Sequence, residues 1–234
     1  VAKKLHCILP LLNEADEASL KLQVAISSLC EKWWLGDRDG AKELVTCLLP
    51  WLLGAALRDD GSAADVRRVY AMRNALLELD FDGMGSGAPH TAYLMPNAFL
   101  DPTFLGCAEG RGVLAFVFRL SPGLTRDIHS TVKTRMEAAN ENGMKVYGKI
   151  YFEAWENGQD KPACRQALDY AVRDLMHSCV STASPVLHEN LLVLLKVFHD
   201  KKKVALVDAL LRKVYDPFLW YALKDTNPAV RKQA

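Results

Sequence analysis

The sequence predicts an all-α protein, a superhelical solenoid of antiparallel helical hairpins of the HEAT/armadillo kind, on three observations. Apolar residues recur at helical spacing in almost every segment, with no sustained alternation of the sort a half-buried strand shows. A capping residue stands directly before a proline at Asp101-Pro102, Ser121-Pro122, Ser184-Pro185 and Asn227-Pro228. Proline suits the first helical position because its missing N–H would have no intrahelical acceptor there, and the preceding side chain can accept from the next free amides. Most connections between the resulting helices are only a few residues long, which makes neighbours pack antiparallel.

Taken in order, the periodicity predicts a short helix at 2–12 and then helices over 15–35, 40–58 and 62–80. Ser62, with Asp65 three residues on, reads as the cap of the last of these. A second short helix is expected near 91–99, followed by helices at 102–119, 122–142, 144–157, 162–182, 185–199, 203–223 and from 227 onward. Gly36, Gly61, Gly143 and Gly158 are expected to end helices, since glycine tolerates positive φ. Between Asn74 and Gly110 stand Glu78, Asp80, Asp82, Asp101 and Glu109 but no Lys or Arg, and the middle reads "DGMGSGAPH". Residues 81–101 are therefore expected to be an acidic Gly/Ser-containing loop inside a single solenoid segment spanning 1–234. Helices of this length pair into repeats of roughly 40 residues, the HEAT/armadillo period.

The final unit, "YDPFLWYALKDTNPAVRKQA", carries the repeat reading. Phe218, Leu219, Tyr221, Ala222 and Leu223 lie on and around one helical face, Asp225 falls in the turn, and Asn227-Pro228 opens the next helix. Val230 and Ala234 are four apart and share a face, while Arg231 and Lys232 point elsewhere. An acid in the turn and a base on the following helix is the HEAT pattern, in which successive repeats can form a ladder of Asp and Arg contacts.

Composition narrows the function classes. The chain has 234 residues, half of them apolar, and a formal charge of +1, so any attraction to nucleic acid must be local. The longest apolar stretch, Leu44 to Leu57, is interrupted by Thr46, Pro50 and Gly54 and falls short of the roughly 20 residues of a membrane span. A start at Val1 without an export segment reads as a piece of a longer protein. Cys7, Cys30, Cys47, Cys107, Cys164 and Cys179 form no Cys-x-x-Cys pair and sit in apolar helical contexts, as core thiols do in a cytosolic or nuclear protein.

Four stretches, "LCEKWW" (29–34), "KIYFEAWENG" (149–158), "VFHDKKKV" (197–204) and "LLRKVYDPFLWYALKDTNPAVRKQA" (210–234), together resemble the G-type HEAT-repeat subunits of condensin II. The resemblance runs from about residue 20 to the end, is strongest from Lys149, is weakest at 82–100, and points to the N-terminal half of such a subunit. It implies a non-catalytic regulatory subunit that acts in mitotic chromosome assembly and condensation. The partners implied are a kleisin subunit, two SMC ATPase subunits and duplex DNA, and the place implied is the nucleus, on chromosomes. The ATPase sites belong to the SMC partners, so no catalytic residue, cofactor or metal is carried over.

Reactive motifs weigh little against this. "DFDGMGSG" follows a helical segment and lacks the Gly-Lys-Ser/Thr of a phosphate loop. His6, His90, His129, His177, His188 and His199 include no His-x-x-x-His pair. Asp169, Asp174 and His177 fall within one helix and read as solvated or capping residues. Trp33, Trp34, Trp51, Trp155 and Trp220 all lie in predicted helices, where four of the five are most simply packing residues. Adjacent Trp33 and Trp34 cannot both face one core, and they are the candidate partner-binding residues.

The surface signal is basic. Lys201, Lys202 and Lys203 mark a hairpin turn, Arg212, Lys213, Arg231 and Lys232 follow, and Lys133 and Arg135 belong to a basic run between Arg111 and Lys149. On a solenoid such positions recur along fixed edges, so these nine residues are the candidates for sequence-independent contact with duplex DNA phosphates. The alternative is a HEAT-repeat protein-binding adaptor, of the transport or phosphatase-scaffold type, with no nucleic-acid role. Salt-dependent binding to duplex DNA separates the two.

Overall fold

The computed structural model describes residues 4, 17–58, 63–81, 88–157, 161–182, 184–200 and 220–234. These are α-helices, one 3-10 helix and the turns between them, with no strand among the described residues. They fall into two compact units, Val1–Leu124 and Thr125–Ala234. The predicted helices at 2–12 and 203–223 lie largely outside the described residues, as do Ser62, Gly61 and Gly158.

The first unit is built around a helix that is apolar on most of its circumference. Helix α1 (Glu17–Leu35) stops where Gly36 N–H donates to Lys32 O, as expected. Gly40, at φ 77°, then starts α2 (Ala41–Ala56). Leu44, Val45, Leu48, Leu49, Leu52, Leu53 and Ala56 of α2 are all buried, a face too wide for one neighbour. Accordingly α2 packs on α1, on α3 (Ala63–Ala71), on the 3-10 helix Arg73–Glu78 and on α4 (Ala88–Ala98). Contacts between next-but-one helices, such as α1 with α3 and α2 with α4, accompany those between neighbours. That is the packing of stacked hairpins, consistent with a HEAT-like arrangement.

Two helices that periodicity predicts as single are each divided in two. The 62–80 helix breaks at buried Met72, where Arg73 donates to Tyr70 O (2.9 Å) and its guanidinium lies 4.2 Å from the Tyr70 ring centre. The 102–119 helix breaks at Cys107 into α5 (Pro102–Gly106) and α6 (Ala108–Val117). There the Cys107 thiol donates to Thr103 O and accepts from Gly110 N–H, both at 3.3 Å. A Cβ on Gly110 would stand 2.2 Å from Phe104 O, so only glycine permits this bend. The 81–101 stretch contains α4, the helix expected at 91–99.

Four proline-started helices have the caps that the sequence specifies. Asp101 Oδ1 accepts from Thr103 and Phe104 N–H, Ser121 Oγ from Leu124, Ser184 Oγ from Leu187 and Asn227 Oδ1 from Ala229. Each such bond satisfies a backbone donor that the helix leaves unpaired, and each stabilises by about 1 kcal/mol.

In the second unit one predicted boundary moves. Helix α7 (Pro122–Arg135) ends seven residues before 142, and α8 (Glu141–Asn157) begins before Gly143. Gly143 is thus inside the first turn of α8, where its N–H donates to the Asn140 side chain (2.9 Å), and is not a stop. The turn is held from a distance: Asn190 Nδ2 donates to Met136 O (2.7 Å) and Ala139 O (3.1 Å). Helices α9 (Pro162–Ser181), α10 (Pro185–Asp200) and α11 (Pro228–Gln233) complete the unit, with 220–223 helical before the last turn. The most extensive packing joins α8 to α10, where Phe152 meets Phe198 edge-to-face at 5.6 Å.

That packing brings backbones together at Gly148, where a Cβ would lie 2.7 Å from Leu194 O and 2.9 Å from Val197 Cγ2. Gly148→Ala is therefore expected to destabilise the second unit by about 1–3 kcal/mol through overpacking. Gly54→Ala in α2 meets nothing within 4 Å and should be neutral or stabilising by up to ~1 kcal/mol. Urea unfolding of the two variants beside the parent checks both signs. Equal effects would refute the close approach.

Candidate functional site

Helix α9 carries two carboxylates in its interior, and both are drawn into contacts with other elements. Asp169 Oδ1 accepts from the Trp155 indole N–H of α8 (2.6 Å) and from Arg165 Nε (3.1 Å). The Arg165 guanidinium also stacks 4.0 Å from the Trp155 ring centre and donates to Trp155 O (3.0 Å). Asp174 Oδ2 takes Lys133 Nζ at 2.6 Å and His129 Nε2 at 2.9 Å, both from α7. His129 Nδ1 in turn lies 2.9 Å from the Tyr151 hydroxyl of α8, and Lys133 Nζ donates to Ser178 Oγ at 3.0 Å. The sequence assigned Asp169 and Asp174 to solvated or capping roles. The structure corrects this: both acids tie α9 to other helices, and His177 alone of the three faces solvent.

The proton positions in this junction follow from chemistry. An ionised carboxylate only accepts, so Nε2 of neutral His129 carries the proton and Nδ1 accepts from the Tyr151 hydroxyl. Burial holds the His129 imidazole below its ordinary pKa of 6.5, against the pull of Asp174. Burial pushes the Asp174 carboxyl up, but the hydrogen bonds from Lys133 and His129 outweigh it and the net shift is downward. Burial also raises the Tyr151 phenol far above its usual range. These shifts belong to a packed polar lock: His129 and Tyr151 are both buried. In the first unit, burial pushes the Cys30 thiol up to about 11, which leaves it protonated and inert near neutrality.

The last turn shows how the HEAT-type acid is used. Asp225 Oδ1 accepts from Asn227 N–H (2.7 Å), while Oδ2 pairs with His188 Nδ1 of α10 at 3.0 Å. Arg231 closes its own turn, donating to Asp225 O (2.7 Å) and Thr226 O (3.0 Å). The side-chain contact from the turn acid to the neighbouring helix therefore uses a histidine where the sequence pattern suggested an arginine.

Those predicted interaction residues that the structure describes lie on different helices. Arg231 and Lys232 are exposed on α11, and Arg135 is exposed at the end of α7. Lys133 is half-buried with its charge opposite Asp174. Lys201, Lys202, Lys203, Arg212 and Lys213 lie outside the described residues. Trp33 and Trp34 are half-buried near the end of α1, and the Trp33 indole donates to Asp39 O (3.2 Å). Of the other tryptophans Trp155 is buried, Trp51 half-buried and Trp220 64% exposed, so packing accounts for Trp155 far better than for Trp220. Among the described residues no cluster of three or more His, Cys, Asp or Glu is placed to hold a metal ion, and no helix is long and apolar enough to cross a membrane.

The family described as "Condensin II non structural maintenance of chromosomes subunit" matches residues 97–234. The chain is 31% identical over 214 residues, 91% of its length, to condensin-2 complex subunit G2 of Danio rerio, of which it covers 18%. It is 29% identical to the proteins of the same name from Mus musculus, over 96% of its length, and Homo sapiens, over 98%, covering 19% and 20% of them. The chain thus spans about a fifth of the length of the relatives it matches. No solved structure matches at a significant level.

The junction makes stability depend on pH in a defined direction. His129 has a folded pKa below 6.5, so its contribution is complete above that value and falls as pH drops toward the folded pKa. Asp174, depressed below 3.8, adds a further loss as pH falls through its folded pKa. The urea midpoint should therefore drop between about pH 7.5 and about pH 5.5. His129→Gln should lower the midpoint at the upper pH, with a lost hydrogen bond costing roughly 1–3 kcal/mol, and should flatten the decline. An unchanged slope in that variant would show that His129 is not the titrating group.

Proposed function

Because the chain belongs to the family of condensin II subunits that are not structural-maintenance-of-chromosomes (SMC) proteins, we propose that it is a scaffold segment acting in chromosome assembly and condensation. In this reading it holds a kleisin segment, works beside SMC ATPases, and touches duplex DNA without reading its sequence, on chromosomes in the nucleus. The observation that carries the proposal is the family match over 97–234, which takes in the whole second unit. The family is non-catalytic, and the buried ionisable groups at the Asp174 junction act in packing.

Stacked hairpins suit such a role because they offer long helical surfaces in place of a single pocket. For DNA the nine basic candidates are not equivalent. Lys133 sits opposite Asp174, so its charge is largely compensated. Arg231 and Lys232 are exposed in the last turn of α11, where cations also complement the helix dipole. Together with Lys201, Lys202 and Lys203 they make the stronger phosphate-contact set.

Binding of this chain to arbitrary-sequence duplex should be weak and should fall steeply between two salt concentrations, as counterion release requires. Reversing Lys201, Lys202 and Lys203 to Glu should weaken it and flatten the salt slope, with Arg231→Glu and Lys232→Glu adding to the loss. Co-purification with the kleisin tests the protein partner separately. DNA binding that is absent or indifferent to salt would leave the protein-adaptor role, and failure to retain the kleisin would remove that as well.

A further inference from the structure

The outward face of α9 forms a surface whose character the sequence does not reveal. Gln166, Tyr170, Arg173, His177 and Ser181 are all exposed, and their spacings of three and four place them in one stripe. No exposed residue of α9 is acidic, because its two carboxylates, Asp169 and Asp174, are turned to Trp155, Arg165, His129 and Lys133. Tyr170 stands 64% exposed in the middle of the stripe.

Helix α7 supplies the second edge. His129 bonds Asp174 and Lys133 bonds Ser178, each across 45 residues, so the two helices run parallel and in register. The same offset sets exposed Arg126 level with residue 171 (126 plus 45), one position from Tyr170. Arg126 on the neighbouring helix is thus level with Tyr170, and Arg173 stands three residues along the same helix. Asp127 is the exposed carboxylate of α7, whereas α8 exposes Glu141, Glu153 and Glu156, with Lys145 tied to Glu141 at 2.6 Å.

We propose that the α7–α9 face binds an acidic peptide segment of a partner protein, with Tyr170 as its anchor and Arg126 and Arg173 receiving carboxylates. Tyrosine and arginine are the residue types that concentrate binding energy at protein interfaces, and guanidinium matches carboxylate in a two-pronged fork. A duplex is the poorer fit. Two guanidiniums beside exposed Asp127, with Lys133 compensated by Asp174, fall short of the roughly 6–10 phosphate contacts of a strongly salt-dependent complex. The proposal rests on the exposed residues of α7 and α9 and does not depend on the DNA reading.

Fluorescence anisotropy with three labelled probes tests the proposal on this chain: a short peptide of alternating Glu and Leu, its Lys/Leu counterpart, and a short duplex DNA. The Glu/Leu peptide is expected to bind saturably and the Lys/Leu peptide not to bind. Arg126→Glu with Arg173→Glu should weaken the Glu/Leu complex by about tenfold or more, and Tyr170→Ala by about fivefold or more. Lys145→Glu with Lys149→Glu on α8 should leave it unchanged. All these side chains are exposed, so the variants should fold, which helical circular dichroism and the unfolding midpoint verify. Absence of saturable peptide binding, or an equal loss from the α8 pair, overturns the proposal. If Tyr170→Ala and Arg173→Glu weaken the duplex and not the peptide, the face belongs to nucleic acid and the proposal also fails.

Discussion

Every helix leaves backbone donors at its start and acceptors at its end, and in hairpins joined by short turns those groups must find partners within a few residues or from a neighbouring helix. This requirement governs both units. Asp101, Ser121, Ser184 and Asn227 supply acceptors locally, and prolines after them remove one donor that would otherwise need a partner. At Cys107 a thiol takes the same role, which works only because Gly110 lets the backbone pass Phe104. At the end of α7 the solution is non-local: the Asn190 amide reaches back from α10 to two carbonyls of the turn.

Once the turns are closed, side chains decide how successive helices meet. In the second unit α8 and α10 approach closely enough that Gly148 is required, while α7 and α9 are joined through polar groups. A half-buried carboxylate shared by a lysine and a neutral histidine is stabilised because Asp174 Oδ2 accepts from both. The junction fixes the parallel register of α7 and α9. It also removes the acids of α9 from its outer face. Internal satisfaction of charge and external surface character are thus one arrangement seen from two sides.

Two proposed roles fall on different elements of the chain. The proposed phosphate contacts include the exposed Arg231 and Lys232 of α11, and the proposed peptide site is the Tyr–Arg face of α7 and α9. Both fit the scaffold role proposed for this member of the condensin II non-SMC family. Neither surface relies on a pocket, in keeping with stacked hairpins that expose long, shallow faces.

Local chemistry made much of the fold readable in the sequence. The all-α class, the four proline-marked helix starts and the stop at Gly36 each depend on a few adjacent residues, and each is found where periodicity and capping place it. What needed the tertiary structure were features whose partners are far apart in the chain. The end of α7 depends on Asn190, more than fifty residues away by either bond. The inward turn of Asp174 depends on His129 and Lys133, and the HEAT-type Asp225 finds His188 on another helix. A helix's intrinsic preferences are set within a turn or two, so sequence alone can fix them. Which way a polar side chain faces is set by whatever the fold brings opposite it, and that only the folded chain decides.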